Sequence, residues 1–119
     1  MRPIKLKIKT KNQQYPIIIG SGLISNLVKI INDNSINFNK CLIIVDNNIS
    51  IKIVSKIIKS LNKKKIYVHL FKANEINKNI NNVNKILDIL LKKNFSREDC
   101  LISLGGGITG DIGGFAASL

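Results

Sequence analysis

Residues 100–111, CLISLGGGITGD, join a short apolar segment to a run of glycines. The apolar segment 100–104 has the composition of a buried strand, and residues 112–119, after the glycines, are compatible with a helix. Where a strand passes through glycines into a helix, backbone N–H groups and the positive end of the helix dipole are open to an anion. Glycine suits such a turn because any side chain would hold the anion away from the backbone. The stretch therefore predicts a strand, an anion-binding turn and a helix, in that order.

The glycine spacing has more than one interpretation. Gly105, Gly107 and Gly110 match the G-x-G-x-x-G pattern of dinucleotide-binding folds, but on a late βα unit and without the acidic residue expected about 20 positions later. A P-loop is disfavoured because Asp111 stands where a Lys would neutralise phosphate charge. The alternative is a tight strand-helix connection in which Asp111 caps the helix. The glycines alone favour neither the dinucleotide interpretation nor the structural one.

The alternation of strand and helix also runs through the upstream sequence. Residues 41–45, CLIIV, are continuously apolar, as in a parallel strand that is covered on both faces. The periodicity predicts further strands at 66–71 and 100–104, and helices at about 49–61 and about 79–93. Right-handed crossovers make this order an open, mostly parallel, three-layer α/β sheet.

The N-terminal region reads differently. Ile4, Leu6 and Ile8 alternate with lysines, and a second strand at 15–19 follows the polar turn 11–14, which predicts an antiparallel hairpin. Residues Ser21-Gly22 then open one amphipathic helix. We expect a single domain over residues 1–119. Because residues 114–119 carry no helix stop signal, we also expect the chain to be the N-terminal portion of something longer.

Lysine gives the chain a strongly basic balance. There are 19 Lys and Arg residues against 7 Asp and Glu, a net charge of +12, which invites a nucleic-acid interpretation. However, arginine occurs only as Arg2 and Arg97, and aromatic residues are 5% of the chain, whereas nucleic-acid surfaces use Arg for bidentate contacts and aromatics for stacking. Ile, Lys and Asn make up 57 of the 119 residues, and their AT-rich codons explain the lysine excess. We therefore expect no nucleic-acid partner.

Other classes are excluded on similar grounds. No apolar run approaches the roughly 20 residues of a membrane-spanning helix, and the start of the chain lacks the apolar region of a secretory signal. We expect a cytoplasmic protein with no membrane partner. Cys41 and Cys100 each open an apolar strand-like run, so neither a disulfide scaffold nor a thiolate metal site is expected.

Residues 104–117, LGGGITGDIGGFAA, closely resemble the LGGG-x-x-GD-x-x-GFAA signature of the 3-dehydroquinate synthase family. Three further segments fit in the correct order: YPIIIGSGL at 15–23, VDNN at 45–48, and Glu75 with Lys78 in the family's DGE-x-x-K loop. The resemblance runs through essentially the whole chain. It implies the Rossmann-like, N-terminal NAD-binding domain of a longer enzyme, without the C-terminal metal-binding helical domain.

The resemblance implies a lyase of the shikimate pathway, on the route to chorismate and the aromatic amino acids. The family converts 3-deoxy-D-arabino-heptulosonate 7-phosphate, a sugar phosphate, to 3-dehydroquinate and phosphate, and NAD is reduced and reoxidised within each turnover. Its members are expected to be homodimers with a divalent metal, zinc or cobalt, held by a Glu and two His of the C-terminal domain. His69, the single histidine, is expected to be structural, so no metal site and no activity are expected from this chain alone.

The resemblance also assigns roles to individual residues. Asp46 would bind hydroxyls of the adenosine ribose, with Asn48 as a nearby polar contact. Glu75 and Lys78 would lie on a loop over the cofactor, with Lys78 available to phosphate or carboxylate oxygens. Asp111 would face the nicotinamide or substrate side and is the one catalytic candidate. The backbone N–H groups that would wrap the pyrophosphate belong to Gly106, Gly107, Ile108, Thr109 and Gly110.

Ala73 and Asn74 depart from the family's pattern, which has Asp-Gly there. Asn can adopt left-handed backbone angles and so partly cover the glycine's role, but Ala73 cannot replace a carboxylate. Two other functions remain as alternatives. One is the nucleotide domain of a metal-dependent polyol or alcohol dehydrogenase, which has a similar glycine turn; the other is a stand-alone basic binding module.

Overall fold

The computed structural model describes residues 2–119. A central sheet has three parallel strands in the order β4-β3-β5, and a separate two-stranded antiparallel sheet is formed by β1 and β2. The strands are β1 (Ile4–Lys9), β2 (Gln14–Ile19), β3 (Lys40–Asp46), β4 (Lys65–Phe71) and β5 (Cys100–Leu104). The helices are α1 (Leu27–Asp33), α2 (Ile51–Ser60), α3 (Ile80–Lys92) and α4 (Gly107–Ser118), with 3₁₀ turns at Leu23–Asn26 and Glu75–Asn77. This confirms the predicted α/β architecture with an N-terminal hairpin.

The central strand β3 separates two hydrophobic cores. Its side chains alternate between the faces of the sheet, and residues 41–45 are at most 1% exposed. On one face, Val54 and Ile57 of α2 pack against Cys41, Ile43 and Val45. On the other face, α3 and α4 bury Val83, Ile86, Ile112 and Ala116 against Leu42 and Ile44. Helices therefore cover both faces, which confirms the three-layer prediction.

The parallel register brings the carboxyl ends of the three strands to one edge. Asp46 pairs with Phe71 of β4, and Val45 pairs with Leu104 of β5. In open α/β sheets this edge is where ligands bind. The residues that the sequence analysis assigned to cofactor binding lie at the end of β3, in the loops that begin at this edge, and in the first turns of α4.

The N-terminal hairpin has one apolar face. Its register pairs Ile4 with Ile19 and Leu6 with Ile17, and the intervening lysines lie on the other face.

Within residues 2–119, no helix has the length and apolar character needed to cross a membrane.

The single helix predicted after Ser21-Gly22 is wrong in its first turn. Gly22 adopts left-handed angles, with φ 68°, and offers no side chain to cap a helix. The Ser25 N–H donates to the Gly22 carbonyl at 3.2 Å, so the chain first forms a 3₁₀ turn. Regular α-helix begins only at Leu27.

Helix α4 approaches β5 most closely at Gly113. A Cβ at this position would overlap Ser103 Oγ and would lie 3.3 Å from both Leu101 Cδ2 and Ser103 Cβ. Gly114, one residue later, would place a Cβ with nothing within 4 Å. The two adjacent glycines therefore differ sharply in their surroundings.

We expect Gly113→Ala to destabilise the protein by about 1–3 kcal/mol, the usual cost of extra volume in a packed contact. Gly114→Ala is the matched control and should stabilise the protein by roughly 0.5–1 kcal/mol, because alanine favours a helix over glycine. Urea-unfolding midpoints measure both effects. Equal midpoints for the two variants would contradict the close packing of α4 on β5.

Asp99 joins the start of β3 to the turn before β5. Its carboxylate accepts hydrogen bonds from Ser96 N–H at 2.8 Å and from Lys40 N–H at 3.2 Å. These bonds, that from Ser96 above all, lower the pKa of Asp99 below its ordinary value. Glu98, its neighbour, accepts no side-chain hydrogen bond within residues 2–119.

We expect Asp99→Asn to lower stability at neutral pH, because an amide has one acceptor oxygen and can accept from only one of the Ser96 and Lys40 N–H groups. A carboxyl whose pKa is depressed on folding contributes stability above its unfolded pKa of about 4 and loses it as the pH falls through the folded value. The difference between the variant and the wild type should therefore shrink in acid. Chemical unfolding at a series of pH values measures this, with Glu98→Gln as the control; a difference that does not change with pH would contradict it.

Candidate functional site

The turn between β5 and α4 is fixed by a close approach at Gly105. This residue has φ 155°, and a Cβ on it would lie 2.8 Å from Thr109 Oγ1 and 2.9 Å from Asp46 Cβ. Glycine is required here on both counts, conformation and space. Because the approach is so close, the end of β3 and the first turn of α4 meet across this turn.

The N-terminus of α4 presents free backbone amides. The helix begins at Gly107, and its N-cap, Gly106, makes no side-chain cap hydrogen bond. Among residues 2–119 we find no acceptor for the N–H groups of residues 106–109, whereas the Gly110 N–H donates to the Gly106 carbonyl at 3.1 Å. Four amides are therefore unengaged at the positive end of a helix, and those of residues 106–108 belong to residues with accessible surface. Gly110 lies inside the helix, so its contribution is the lack of a side chain rather than its amide.

The surface above these amides is open. A Cβ at Gly106, Gly107 or Gly110 would meet nothing within 4 Å. Glycine within a helix costs roughly 0.5–1 kcal/mol relative to alanine, and no packing contact accounts for it at Gly107 or Gly110. This open space would let an anion approach the backbone closely.

Thr109 lies beneath the turn. Its side chain is 0% exposed, and its hydroxyl has no hydrogen-bond partner within the described residues. A buried, unpaired hydroxyl costs about 1–3 kcal/mol, so this is a strained point of the site. Because the whole residue is buried, neither its hydroxyl nor its amide is open to a ligand at the surface. The prediction that the Thr109 amide wraps a diphosphate is therefore not supported by the structure.

Asp46 is the last residue of β3 and borders the turn. One carboxylate oxygen, Oδ1, accepts the N–H of Asn48 at 3.0 Å. Within residues 2–119 the other oxygen accepts no hydrogen bond, and Asn48 itself is exposed. A carboxylate with one anchored oxygen and one free oxygen is suited to accept hydrogen bonds from hydroxyl groups.

The loop between β4 and α3 is held by asparagines. Asn74 has φ −150° and ψ 167°, and its side chain accepts the N–H of Asn77 at 2.8 Å. The expectation that Asn74 replaces glycine through left-handed angles is therefore wrong: it is an extended cap for the 3₁₀ turn that Glu75 begins. Ala73 is partly buried and packs against the core on the α3 and α4 face of the sheet.

Lys78 and Asp111 form an ion pair across the site. Lys78 Nζ lies 3.0 Å from Asp111 Oδ2, and the side chains are 42% and 61% exposed. The hydrogen bond and charge of Asp111, with a smaller effect of Glu75, raise the pKa of Lys78. Asp111 therefore does not cap α4, and the structural interpretation of this residue is wrong. The pair borders a cavity of about 380 Å³ lined by Lys78, Asn79, Ile80, Val83, Asp111, Ile112 and Phe115.

The structure thus gathers the predicted residues into two groups at one edge of the sheet. Asp46 lies against the glycine turn, and Lys78 pairs with Asp111, while Glu75 is exposed beside them. His69 lies apart, within β4, where burial above all and the charge of Lys85 lower its pKa. Residues 2–119 include no cluster of three His, Cys, Asp or Glu side chains able to hold a metal ion.

The chain resembles proteins of known family over nearly its whole length. Residues 68–119 match the family model described as 3-dehydroquinate synthase N-terminal. A 3-dehydroquinate synthase of Pelagibacter ubique is 54% identical over 115 residues, which is 97% of this chain and 31% of that protein. A 3-dehydroquinate synthase of Prochlorococcus marinus subsp. pastoris is 35% identical over a region that covers 99% of this chain and 33% of that protein. The chain therefore spans about a third of the length of these relatives.

Solved structures share the fold. A crystal structure of 2-deoxy-scyllo-inosose synthase superposes with a TM-score of 0.83 at 19% identity, covering 98% of this chain and 33% of that one. A second crystal structure of a protein of that name, in complex with carbaglucose-6-phosphate, NAD+ and Co2+, gives the same TM-score and identity. At this identity the likeness supports the fold, and the sequence relatives carry the family assignment. The chain belongs to the 3-dehydroquinate synthase family, whose N-terminal part it matches.

Proposed function

We propose that residues 1–119 form the NAD-binding domain of a 3-dehydroquinate synthase. The observation that carries the proposal is the set of unengaged amides of residues 106–108 at an open glycine surface. Family membership supplies the identity of the anion as a dinucleotide diphosphate. Asp46, at the end of the neighbouring strand, lies within the same edge of the sheet.

The residues present fit NAD. The amides of residues 106–108 would donate to diphosphate oxygens, and glycine at 106, 107 and 110 leaves the space that a close backbone approach requires. The free oxygen of Asp46 would accept hydrogen bonds from the adenosine ribose hydroxyls, with Asn48 beside it. Lys78 and Asp111 would lie toward the nicotinamide and substrate, next to the cavity between α3 and α4. When bound, NAD supplies transient oxidation of a substrate alcohol.

The activity of the whole enzyme extends this proposal. We infer that the protein acts on the sugar phosphate 3-deoxy-D-arabino-heptulosonate 7-phosphate as a cytoplasmic homodimer, with a zinc or cobalt ion held outside residues 1–119. The described residues offer backbone amides and a ribose-binding carboxylate but no three-ligand metal cluster. We therefore assign cofactor binding to this chain and expect it to be inactive alone. Phosphate release from that sugar phosphate tests the enzyme assignment; NAD reduction by a polyol without phosphate release would support the dehydrogenase alternative.

We expect Gly106→Ala to weaken NAD binding by at least about tenfold, or about 1.4 kcal/mol, because its methyl group would occupy the space above the amides. The fold should be unaffected, since a Cβ at 106 meets nothing within 4 Å. Calorimetric titration with NAD measures the affinity and thermal unfolding measures the stability. Gly114→Ala, also free of contacts but at the far end of α4, is the control. Unchanged NAD affinity in Gly106→Ala would overturn the diphosphate assignment.

We expect the protein to prefer NAD over NADP, because the Asp46 carboxylate would repel a 2′-phosphate. Asp46→Asn should narrow that preference and weaken NAD binding by roughly tenfold. An amide oxygen still accepts the Asn48 N–H, so the turn should be retained. Parallel titrations with both dinucleotides measure the ratio. If Asp46→Asn left the ratio unchanged, Asp46 would not be the ribose ligand.

Salt-sensitive binding of nonspecific DNA without NAD binding would instead favour a basic module.

A further inference from the structure

The two cysteines of the chain lie side by side in the sheet. Cys41 of β3 and Cys100 of β5 are Cα partners in the parallel register. Neighbouring strands are about 4.7–4.9 Å apart, which is within the Cα separation of about 4.4–6.8 Å that a disulfide tolerates. Both side chains pack in the same core, and both thiols are free. We propose that Cys41 and Cys100 form a reversible disulfide when the protein meets a hydroperoxide.

The pair is divided into a reactive and a resolving thiol. The neighbouring Cys41 thiol lowers the pKa of Cys100, whereas the neighbouring Cys100 thiol and burial raise the pKa of Cys41. Cys41 is 0% exposed and Cys100 is partly exposed. The thiolate is the nucleophile in thiol chemistry, so Cys100 attacks first and Cys41 second.

The chemistry balances with the hydroperoxide as oxidant. The Cys100 thiolate attacks the terminal peroxide oxygen, the O–O bond breaks, and Cys100 becomes a sulfenic acid as the leaving oxygen takes a proton. Cys41 sulfur then attacks Cys100 sulfur, the S–O bond breaks, and water leaves with the Cys41 proton. With hydrogen peroxide, two thiols and one peroxide give one disulfide and two waters.

Intact-mass measurement after treatment with hydrogen peroxide, followed by thiol alkylation under denaturing conditions, tests the proposal. We expect the wild type to lose the two thiol hydrogens and to take up no alkylating reagent. Dithiothreitol should restore both reactive thiols. A wild type that keeps both thiols, links two chains through a disulfide, or accumulates oxygen on Cys100 would overturn the proposal.

Single variants separate the two roles. In Cys41→Ala, no resolving thiol is present, so Cys100 should gain two or three oxygen atoms. In Cys100→Ala, Cys41 should keep its thiol under the same treatment, because it is fully buried. Equal oxidation of both variants would overturn the assignment of roles. If either variant fails to fold, the wild-type masses alone decide the outcome. The pair lies at the amino-terminal edge of the sheet, so this test is independent of NAD binding.

Discussion

The arrangement of this molecule depends on one contact, where the backbone of Gly105 passes between Asp46 and Thr109. A Cβ on Gly105 would be too close to both neighbours, since it would lie 2.9 Å from Asp46 Cβ and 2.8 Å from Thr109 Oγ1. The close approach sets where α4 starts and brings its first turn to the end of β3. As a result, the unengaged amides at the N-terminus of α4 and the Asp46 carboxylate, which has one free oxygen, lie at the same edge of the sheet.

The glycines of the turn and of α4 serve two different purposes. Gly105 and Gly113 allow backbone to approach side chains, and there a larger residue would collide. Gly106, Gly107 and Gly110 face open space, where alanine would suit the helix better. Burial of Ile112 and Ala116 against the sheet offsets the weak helix propensity of α4. Packing therefore holds the helix in place while its first turn remains bare for a ligand.

Much of this could be predicted from the sequence, because strand periodicity is a local signal. The bounds of β5 agree residue for residue with the predicted strand at 100–104. The misses have both local and non-local causes. Asn74 looked like a stand-in for glycine, but its side chain found a backbone N–H three residues away and held it extended. The adjacency of Cys41 and Cys100 depends on strand register, and 58 residues separate the two cysteines along the sequence. The sequence signal for it is that each cysteine opens an apolar, strand-like run.

The pairing of Lys78 with Asp111 resolves an electrostatic conflict at the site. A carboxylate near the N-terminus of α4 would repel a diphosphate bound to the amides of residues 106–108. Lys78 lies 3.0 Å from that carboxylate and balances its charge. Since both side chains are substantially exposed, the pair contributes little to folding stability. Its effect would fall on the proposed anion instead, because Lys78 offsets the repulsion between Asp111 and an anion at the unengaged amides.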